Sequence, residues 1–143
     1  MRIKPFDMKY LIDFEYDGIE APYLTDQQVR ENVFEYSKQG PVWVGVRDDG
    51  KVLAFAGMLE LFPGVGYCWA YFNRSSYPFM VKMIKKMRSV IKNSGYRRVQ
   101  SFCIDNDVAR RFLKTIGFVE EGVMRNFLPC GDMIMCSIIK GEI

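Results

Sequence analysis

The feature of this sequence that most constrains its fold is a change of hydrophobic period along the chain. Val42, Val44 and Val46 alternate with other residues, and the stretch 51–72 is apolar on both faces, as in a covered sheet. Between 79 and 93 the apolar positions instead repeat every three or four residues, which is typical of an amphipathic helix. Strand and helix patterns keep alternating, divided by turn signals such as Asp49-Gly50. The chain is therefore predicted to pack helices on a sheet.

The predicted elements run in the order β-α-α-β-β-β-α-β-α-β-β. Strands are predicted near 1–6, 42–46, 51–61, 67–72, 97–104, 118–127 and 133–139, and helices near 7–14, 25–40, 79–93 and 108–116. Thr25 and Gln28 form a capping-box pattern at the second of these helices. The predicted class is α/β, or α+β in three layers: a mixed central sheet of about six to seven strands flanked by about four helices. We expect one domain across residues 1–143, because no linker or repeat divides the chain.

Composition limits the chemistry that is open to the chain. Hydrophobic residues make up 49% of the 143 residues, enough for a core, so an intrinsically disordered chain is excluded. There is no histidine, which excludes Ser-His and Cys-His dyads and the usual zinc enzymes. Any acid–base step falls to carboxylates, Tyr, Lys, Cys or water. The four cysteines form no Cys-x-x-Cys pair, so we expect free thiols and no metal site: Cys68, Cys103, Cys130 and Cys136.

Charge and hydropathy suggest a soluble protein of the cytoplasm. Twenty basic and 17 acidic residues leave a net charge of only +3. A basic stripe on the 79–93 helix is therefore interpreted as a solvated face rather than a nucleic-acid surface, which is the weaker alternative: Lys82, Lys85, Lys86, Arg88 and Lys92. The N-terminal residues 1–5 have no apolar core, so no signal peptide is expected. The longest uncharged run, 61–73, is too short to span a bilayer.

The stretch Asn106–Phe118 carries the most specific local signature. It reads Asn-x-x-Ala-x-x-Phe-Leu-x-x-x-Gly-Phe, which is similar to the Asn-x-x-Ala-x-x-[Leu/Phe]-Tyr-x-x-x-Gly-Phe helix of the GNAT superfamily of acyl-CoA-dependent N-acetyltransferases. The element order extends this resemblance over essentially the whole chain. Taken alone, the same stretch is also compatible with an ordinary capped amphipathic helix.

The resemblance implies acetyl-CoA as cosubstrate, with no metal. In this fold the strands at 67–72 and 97–104 splay apart, and the gap receives the pantetheine arm as an added strand would be received. The loop at 73–78 and the helix that follows would offer backbone N–H groups to the pyrophosphate. The implied cofactor-binding residues are Trp69, Ala70, Tyr71, Asn73, Arg74, Ser75, Ser76, Tyr77, Asn106, Arg110 and Arg111.

Two positions depart from the family pattern. The family's phosphate loop contains glycines, whereas residues 73–79 contain none, and Pro78 lacks an N–H donor. In the late helix, Leu113 occupies the position at which the family often has a tyrosine that protonates the leaving thiolate. Leucine cannot do this, so another group or water must.

Two side chains are candidates for catalysis. Glu60, near the end of the 51–61 strand, could act directly or through water as the base for an attacking ammonium. Tyr71 could serve as a hydrogen-bond donor or substitute acid. Each also has a structural interpretation, Glu60 as a solvated strand-end charge and Tyr71 as one more aromatic core residue.

The sequence thus predicts an N-acetyltransferase that transfers an acetyl group to a primary amine by direct attack. The acceptor could be a small molecule or a protein. The alternative is a GNAT-fold protein without catalysis that serves a structural or interaction role. Internal virion proteins of tailed phages are similar to the chain at Cys68-Trp69 and at 111–117, which would place it in the host cytoplasm or the virion. Pairing of the last strands between chains could also form a homodimer.

Overall fold

The computed structural model describes residues 1–129 and 131–141, and it contains seven strands and three α-helices in the predicted order. The predicted free thiol Cys130 lies outside the described residues. The elements are β1 (Arg2–Pro5), α1 (Asp26–Ser37), β2 (Val42–Val46), β3 (Val52–Phe62), β4 (Val65–Phe72), α2 (Met80–Asn93), β5 (Arg98–Ile104), α3 (Asp107–Ile116), β6 (Val119–Leu128) and β7 (Gly131–Ile139), with 3-10 turns at Met8–Tyr10 and Arg74–Phe79.

All seven strands belong to one sheet, in the order β1-β2-β3-β4-β5-β7-β6. The β1–β2, β2–β3, β5–β7 and β6–β7 pairs are antiparallel, and the β4–β5 pair is parallel. The predicted mixed α/β sheet is therefore confirmed, at the upper end of the predicted strand number. The parallel register runs from Val65 opposite Arg98 to Tyr67 opposite Gln100, and β4 continues from there to Phe72.

The predicted helix at 7–14 is not an α-helix, so the described residues contain three α-helices rather than four. Only Met8–Tyr10 form a single 3-10 turn, with Asp7 accepting a hydrogen bond from the backbone of Lys9. Asp13 adopts a φ of 61°, a left-handed conformation that cannot continue a helix. Leu11 and Phe14 are nevertheless buried, so their apolar spacing reflects core packing rather than helical periodicity.

Local signals position α1 as the sequence predicts. The Thr25 hydroxyl accepts a hydrogen bond from the Gln28 backbone at 3.2 Å, and the Gln28 side chain accepts one from the Thr25 N–H at 2.9 Å. This capping box satisfies two backbone donors at the helix start. Val29 and Val33 point one face of the helix into the core, where both are fully buried.

The chain divides into two compact units. The first unit comprises Met1–Leu59 and Cys68–Met80, and the second comprises Glu60–Tyr67 and Val81–Ile143. The core of the first unit includes Leu53 and Phe55, with the Phe14 ring edge-on to Phe55 at 4.8 Å between centroids. In the second unit Val99 and Ile134 are the most deeply buried apolar side chains of β5 and β7.

Candidate active site

The loop that follows β4 is built around a buried asparagine. Asn73 is 4% exposed, and its side-chain oxygen accepts a hydrogen bond from the Asp17 N–H at 2.9 Å. Its amide nitrogen donates to the Glu15 carbonyl at 2.8 Å, and its backbone N–H donates to the Leu53 carbonyl at 2.9 Å. Every polar group of a buried residue needs such a partner. Asn73 therefore fastens the end of β4 to the 15–17 segment.

The stretch predicted to bind the pyrophosphate is a 3-10 helix, Arg74–Phe79, and part of its hydrogen-bonding capacity is already used. The Arg74 N–H donates to the carboxylate of Asp17 at 2.8 Å. Ser76, which is fully buried, donates both its N–H and its hydroxyl to the Asn73 carbonyl, at 2.9 and 2.7 Å. A protein carboxylate thus binds the first N–H of the helix, the kind of donor that a phosphate would need.

A cavity of about 480 Å³ lies beside this loop in the first unit. Four carboxylates and two lysines line it together with Asn73: Asp13, Glu15, Asp17, Asp26, Lys9 and Lys51. The Asp26 carboxylate is already used, since it accepts a hydrogen bond from the Tyr16 N–H at 2.8 Å. Sequence reasoning missed this cavity, although the acid-rich stretch 13–26 is a visible signal for it.

Aromatic side chains form a cluster on one face of β4. Trp69 and Tyr71, two residues apart, share a face of the strand, with ring centroids 6.0 Å apart. Tyr36 of α1 contacts Trp69 at 4.9 Å, and Tyr16 meets Tyr71 edge-on at 5.6 Å. We call these four residues the β4 aromatic cluster. The Trp69 Nε1–H is buried and has no hydrogen-bond partner among the described residues. Ala70, between the two, points to the opposite face.

The Tyr71 hydroxyl accepts a hydrogen bond but donates its own proton to no described residue. Asn32 of α1 donates its side-chain N–H to Tyr71 Oη at 3.0 Å, and the described residues provide no acceptor for the Tyr71 hydroxyl proton. Burial raises the pKa of Tyr71 to about 12, so the phenol stays protonated near neutral pH. Tyr16 differs, because its hydroxyl donates to the Glu20 carboxylate. Burial, followed by the charge of Glu20, raises the pKa of Tyr16 as well.

Glu60 lies in the second unit, whereas Tyr71 lies in the first. The Glu60 carboxylate is exposed and accepts a long hydrogen bond, 3.4 Å, from the Gly64 N–H of the β3–β4 turn. Arg97 donates to the Pro63 carbonyl of the same turn at 2.6 Å. Partial burial and then the Glu60 charge raise the pKa of Tyr96. Glu60 is thus a solvent-accessible carboxylate beside a turn that the Arg97 hydrogen bond stabilises.

The residues of and before α3 that were predicted to bind phosphate differ in the contacts that they make within the protein. Asn106 caps α3, accepting hydrogen bonds from the N–H groups of Val108 and Ala109 at 2.9 and 3.2 Å. Arg110 forms a bidentate pair with Glu120, both contacts at 2.7 Å, and also contacts Asp105 at 2.9 Å. These hydrogen bonds raise the pKa of Arg110. Arg111 is exposed, and its backbone carbonyl accepts a hydrogen bond from the Thr115 hydroxyl at 2.8 Å. Its guanidinium forms no ion pair within the described part of the chain.

No group of three or more Cys, Asp or Glu side chains within the described residues is arranged to hold a metal ion. None of the described helices combines the length and the apolar character that crossing a bilayer requires.

Solved structures similar to this chain are GNAT-family acetyltransferases. A structure assigned as a phosphinothricin N-acetyltransferase superimposes with a TM-score of 0.78 at 12% identity, covering 96% of this chain and 97% of that one. The ribosomal-protein-S5-alanine acetyltransferase from Vibrio fischeri gives 0.73 at 15% identity, covering 98% and 93%. A GNAT-family acetyltransferase from Bacillus anthracis gives 0.67 at 15% identity, covering 96% and 93%. No protein-family model and no curated protein matches the sequence. The described part of the chain therefore has the GNAT fold.

Proposed function

We propose that this GNAT-fold chain is an N-acetyltransferase that uses acetyl-CoA and transfers the acetyl group to a primary amine by direct attack. The observation that carries the proposal is the Tyr71 hydroxyl, which is half-buried on β4, protonated and without an acceptor for its proton among the residues that the structure describes. A donor in this condition is suited to stabilising negative charge that develops during a reaction. Its proposed role is to donate a hydrogen bond to the leaving thiolate, which Leu113, at the family's usual tyrosine position, cannot do, and water then protonates the thiolate.

In the proposed reaction the amine nitrogen attacks the thioester carbonyl carbon. A C–N bond forms, the C–S bond breaks, and the thiolate leaves with its electron pair. Thiols ordinarily have a pKa of about 8.5, well below the value of about 12 for Tyr71. Tyr71 therefore keeps its proton and stabilises the thiolate as a hydrogen-bond donor. The exposed Glu60 is proposed to accept the proton of the ammonium through water before attack. The second N–H proton, which the nitrogen loses once the C–N bond has formed, passes to water.

The donor's phosphates are proposed to contact the side chains of Arg74, Ser75, Tyr77 and Arg111. Arg74, Tyr77 and Arg111 are exposed, and Ser75 is partly exposed, so each of these side chains is accessible to solvent. Asn73, Ser76 and Asn106 contribute by holding the loop and the helix start, since their polar groups are engaged within the protein. Arg110 would first have to leave its carboxylate partners, Glu120 and Asp105.

The acceptor is proposed to be an amine that is cationic in solution. Two of the similar structures are named for the transfer of an acetyl group to an amino group, of phosphinothricin and of an alanine. The cavity beside the β4 loop carries four carboxylates against two lysines, a balance that attracts a cation.

Binding of acetyl-CoA is the first test. A ligand present at a hundred times its Kd stabilises the folded state by about 2.7 kcal/mol, which raises the Tm by roughly 5–10 °C for a chain of this size. We expect such a shift with acetyl-CoA, followed by acetylation of one or more members of a primary-amine panel, detected by mass. An unchanged Tm at millimolar acetyl-CoA would favour the non-catalytic alternative.

Two variants then test the proposed chemistry. Tyr71→Phe should lower kcat by about tenfold or more. Glu60→Gln should lower kcat/KM more strongly at about pH 6–8, where the acceptor is an ammonium that has to be deprotonated, than near pH 10, where the free amine is present. Glu35→Gln, the same change at an exposed position of α1, serves as the control. Unchanged turnover in both test variants would remove these two assignments.

A further inference from the structure

The side chain of Asn32 joins α1 to the β4 aromatic cluster. Asn32 and Tyr36 are one helical turn apart, so they lie on the same face of α1. Tyr36 contacts Trp69, and Asn32 donates its N–H to Tyr71 Oη at 3.0 Å. One turn of the helix thus meets two successive same-face residues of the strand. The ring of Tyr71 is therefore fixed by Tyr16 and Trp69 at its edges and by Asn32 at its oxygen.

The direction of this hydrogen bond decides what the Tyr71 hydroxyl can do. A phenol oxygen both accepts and donates. Asn32 supplies the donated hydrogen, so the proton of Tyr71 is turned away from the amide and remains available. Tyr16 shows the opposite arrangement, because the Glu20 carboxylate is an acceptor and takes the hydroxyl proton of Tyr16. Two neighbouring tyrosines of the same cluster therefore differ in whether they can donate to a ligand.

We propose that Asn32 is a positioning residue for acyl transfer, holding the Tyr71 phenol in the orientation in which its O–H donates to the departing thiolate. The inference rests on the proposed function and assigns to it a residue that contacts no reacting atom. The hydrogen bond is the same before and after turnover, because Asn32 remains a neutral donor and Tyr71 keeps its proton. Asn32 contributes by fixing the orientation of the Tyr71 phenol, and enzymes obtain such orientation from rigid supporting contacts.

An isosteric change at Asn32 reverses the hydrogen bond. In Asn32→Asp the introduced carboxylate can only accept, so it takes the proton of Tyr71 as Glu20 takes that of Tyr16. The other ionisable groups that face Tyr71 are Tyr36 from α1, and Tyr16 and Glu20 from the segment before it. Burial holds Tyr16 in its protonated form at neutral pH, and Glu20 is present in both proteins, so the introduced carboxyl is the new titrating group.

The test compares the kcat of Asn32→Asp with that of the wild type as a function of pH. We expect a loss of about tenfold or more near pH 8, arising in kcat rather than KM. The ratio to wild type should recover as the pH falls toward about 4, the ordinary pKa of an aspartic acid, because a protonated carboxyl can donate to Oη again. Asn93→Asp, the same change at an exposed position of α2, should leave the ratio near one at every pH. A constant ratio across pH for Asn32→Asp would overturn the proposal.

A second variant separates orientation from packing. Asn32→Leu is close in shape and cannot hydrogen-bond, so it should lose less activity than Asn32→Asp near pH 8 and show no recovery at low pH. A greater loss in Asn32→Leu than in Asn32→Asp would mean that Asn32 acts through packing, against the proposal.

A measurement that needs no turnover distinguishes failure of this inference from failure of the proposed function. The Cζ chemical shift of 13C-labelled tyrosine senses hydrogen bonding at Oη, and Tyr71→Phe identifies its signal. Between about pH 3 and 8 the Tyr71 signal of Asn32→Asp should show a titration step that the wild type lacks. If this holds and no acetyltransferase activity is found, the proposed function fails alone. A Tyr71 signal that does not titrate in Asn32→Asp contradicts the positioning role, whatever the activity.

Discussion

The backbone N–H of Arg74 donates to the carboxylate of Asp17 over 2.8 Å, although 57 residues separate the two along the chain. The contact is reinforced from the other side, where the Asp17 N–H donates to the Asn73 side chain at 2.9 Å. An anionic oxygen of the protein itself is therefore bound at the start of the segment that the resemblance assigns to the cofactor's phosphates. A negatively charged ligand has to compete with it.

Removal of the Asp17 carboxylate should strengthen the binding of acetyl-CoA. Asp17→Ala frees the Arg74 N–H and removes a negative charge, and we expect the Kd to fall by about threefold to tenfold. Isothermal titration calorimetry measures this directly. Glu15→Ala removes the same charge from an exposed residue of the same cavity and leaves the Arg74 contact intact. An equal gain in both variants would mean that only the overall charge matters.

Loss of the Asn73 side chain should destabilise the protein strongly. Asn73→Ala leaves the Asp17 N–H and the Glu15 carbonyl without their partner in a part-buried position. We expect the free energy of unfolding to fall by about 2–3 kcal/mol, measured by urea denaturation. Ser75→Ala, two residues away, should lower the free energy of unfolding by less than about 0.5 kcal/mol, because the Ser75 side chain is partly exposed to solvent. If Asn73→Ala costs no more than Ser75→Ala, the two contacts contribute little to stability.

Gly57 should tolerate no side chain because Trp69 lies against it. A Cβ at this position would be 2.6 Å from Trp69 Cζ2 and 2.7 Å from the Pro41 carbonyl oxygen. Gly57→Ala should therefore destabilise the fold by about 1–3 kcal/mol, seen as a lower Tm. Gly122→Ala is the matched control, since a Cβ there would meet no atom within 4 Å. Equal Tm values for the two variants would contradict the close packing of Trp69.

Three thiols should be inert in the folded protein. Burial raises the pKa of Cys68 and of Cys103 to about 12, and it also raises the pKa of Cys136. At pH 8 a thiol with a pKa of about 12 is ionised in only about one molecule in ten thousand, and the thiolate is the reactive form. Iodoacetamide followed by peptide mapping should leave these three unmodified until denaturant is added. Fast labelling of Cys68 in the native protein would show that its environment is open.

The sequence predicted well those features that local interactions determine. The Thr25–Gln28 capping box and the helix start at Asn106 each depend on residues within three positions, and the structure confirms both. The prediction of a helix at 7–14 was wrong because burial of Leu11 and Phe14 imposes apolar spacing without helical hydrogen bonds. Tyr71 could be chosen by its residue type and strand. Its partner Asn32, 39 residues away, could not, since nothing in one sequence specifies which side chains a helix brings to a strand.

The β6 strand is last in the sheet order, so one of its edges is open to a further strand. Its ladder with β7 is interrupted on both sides of the three consecutive pairs from Gly122 to Met124, and Asn126 has a φ of 55°. An incoming chain that tried to extend the sheet would find no long regular row of donors and acceptors. We therefore expect this irregular margin to be a poor template for edge-to-edge pairing, even though Val119, Val123 and Phe127 expose apolar surface there.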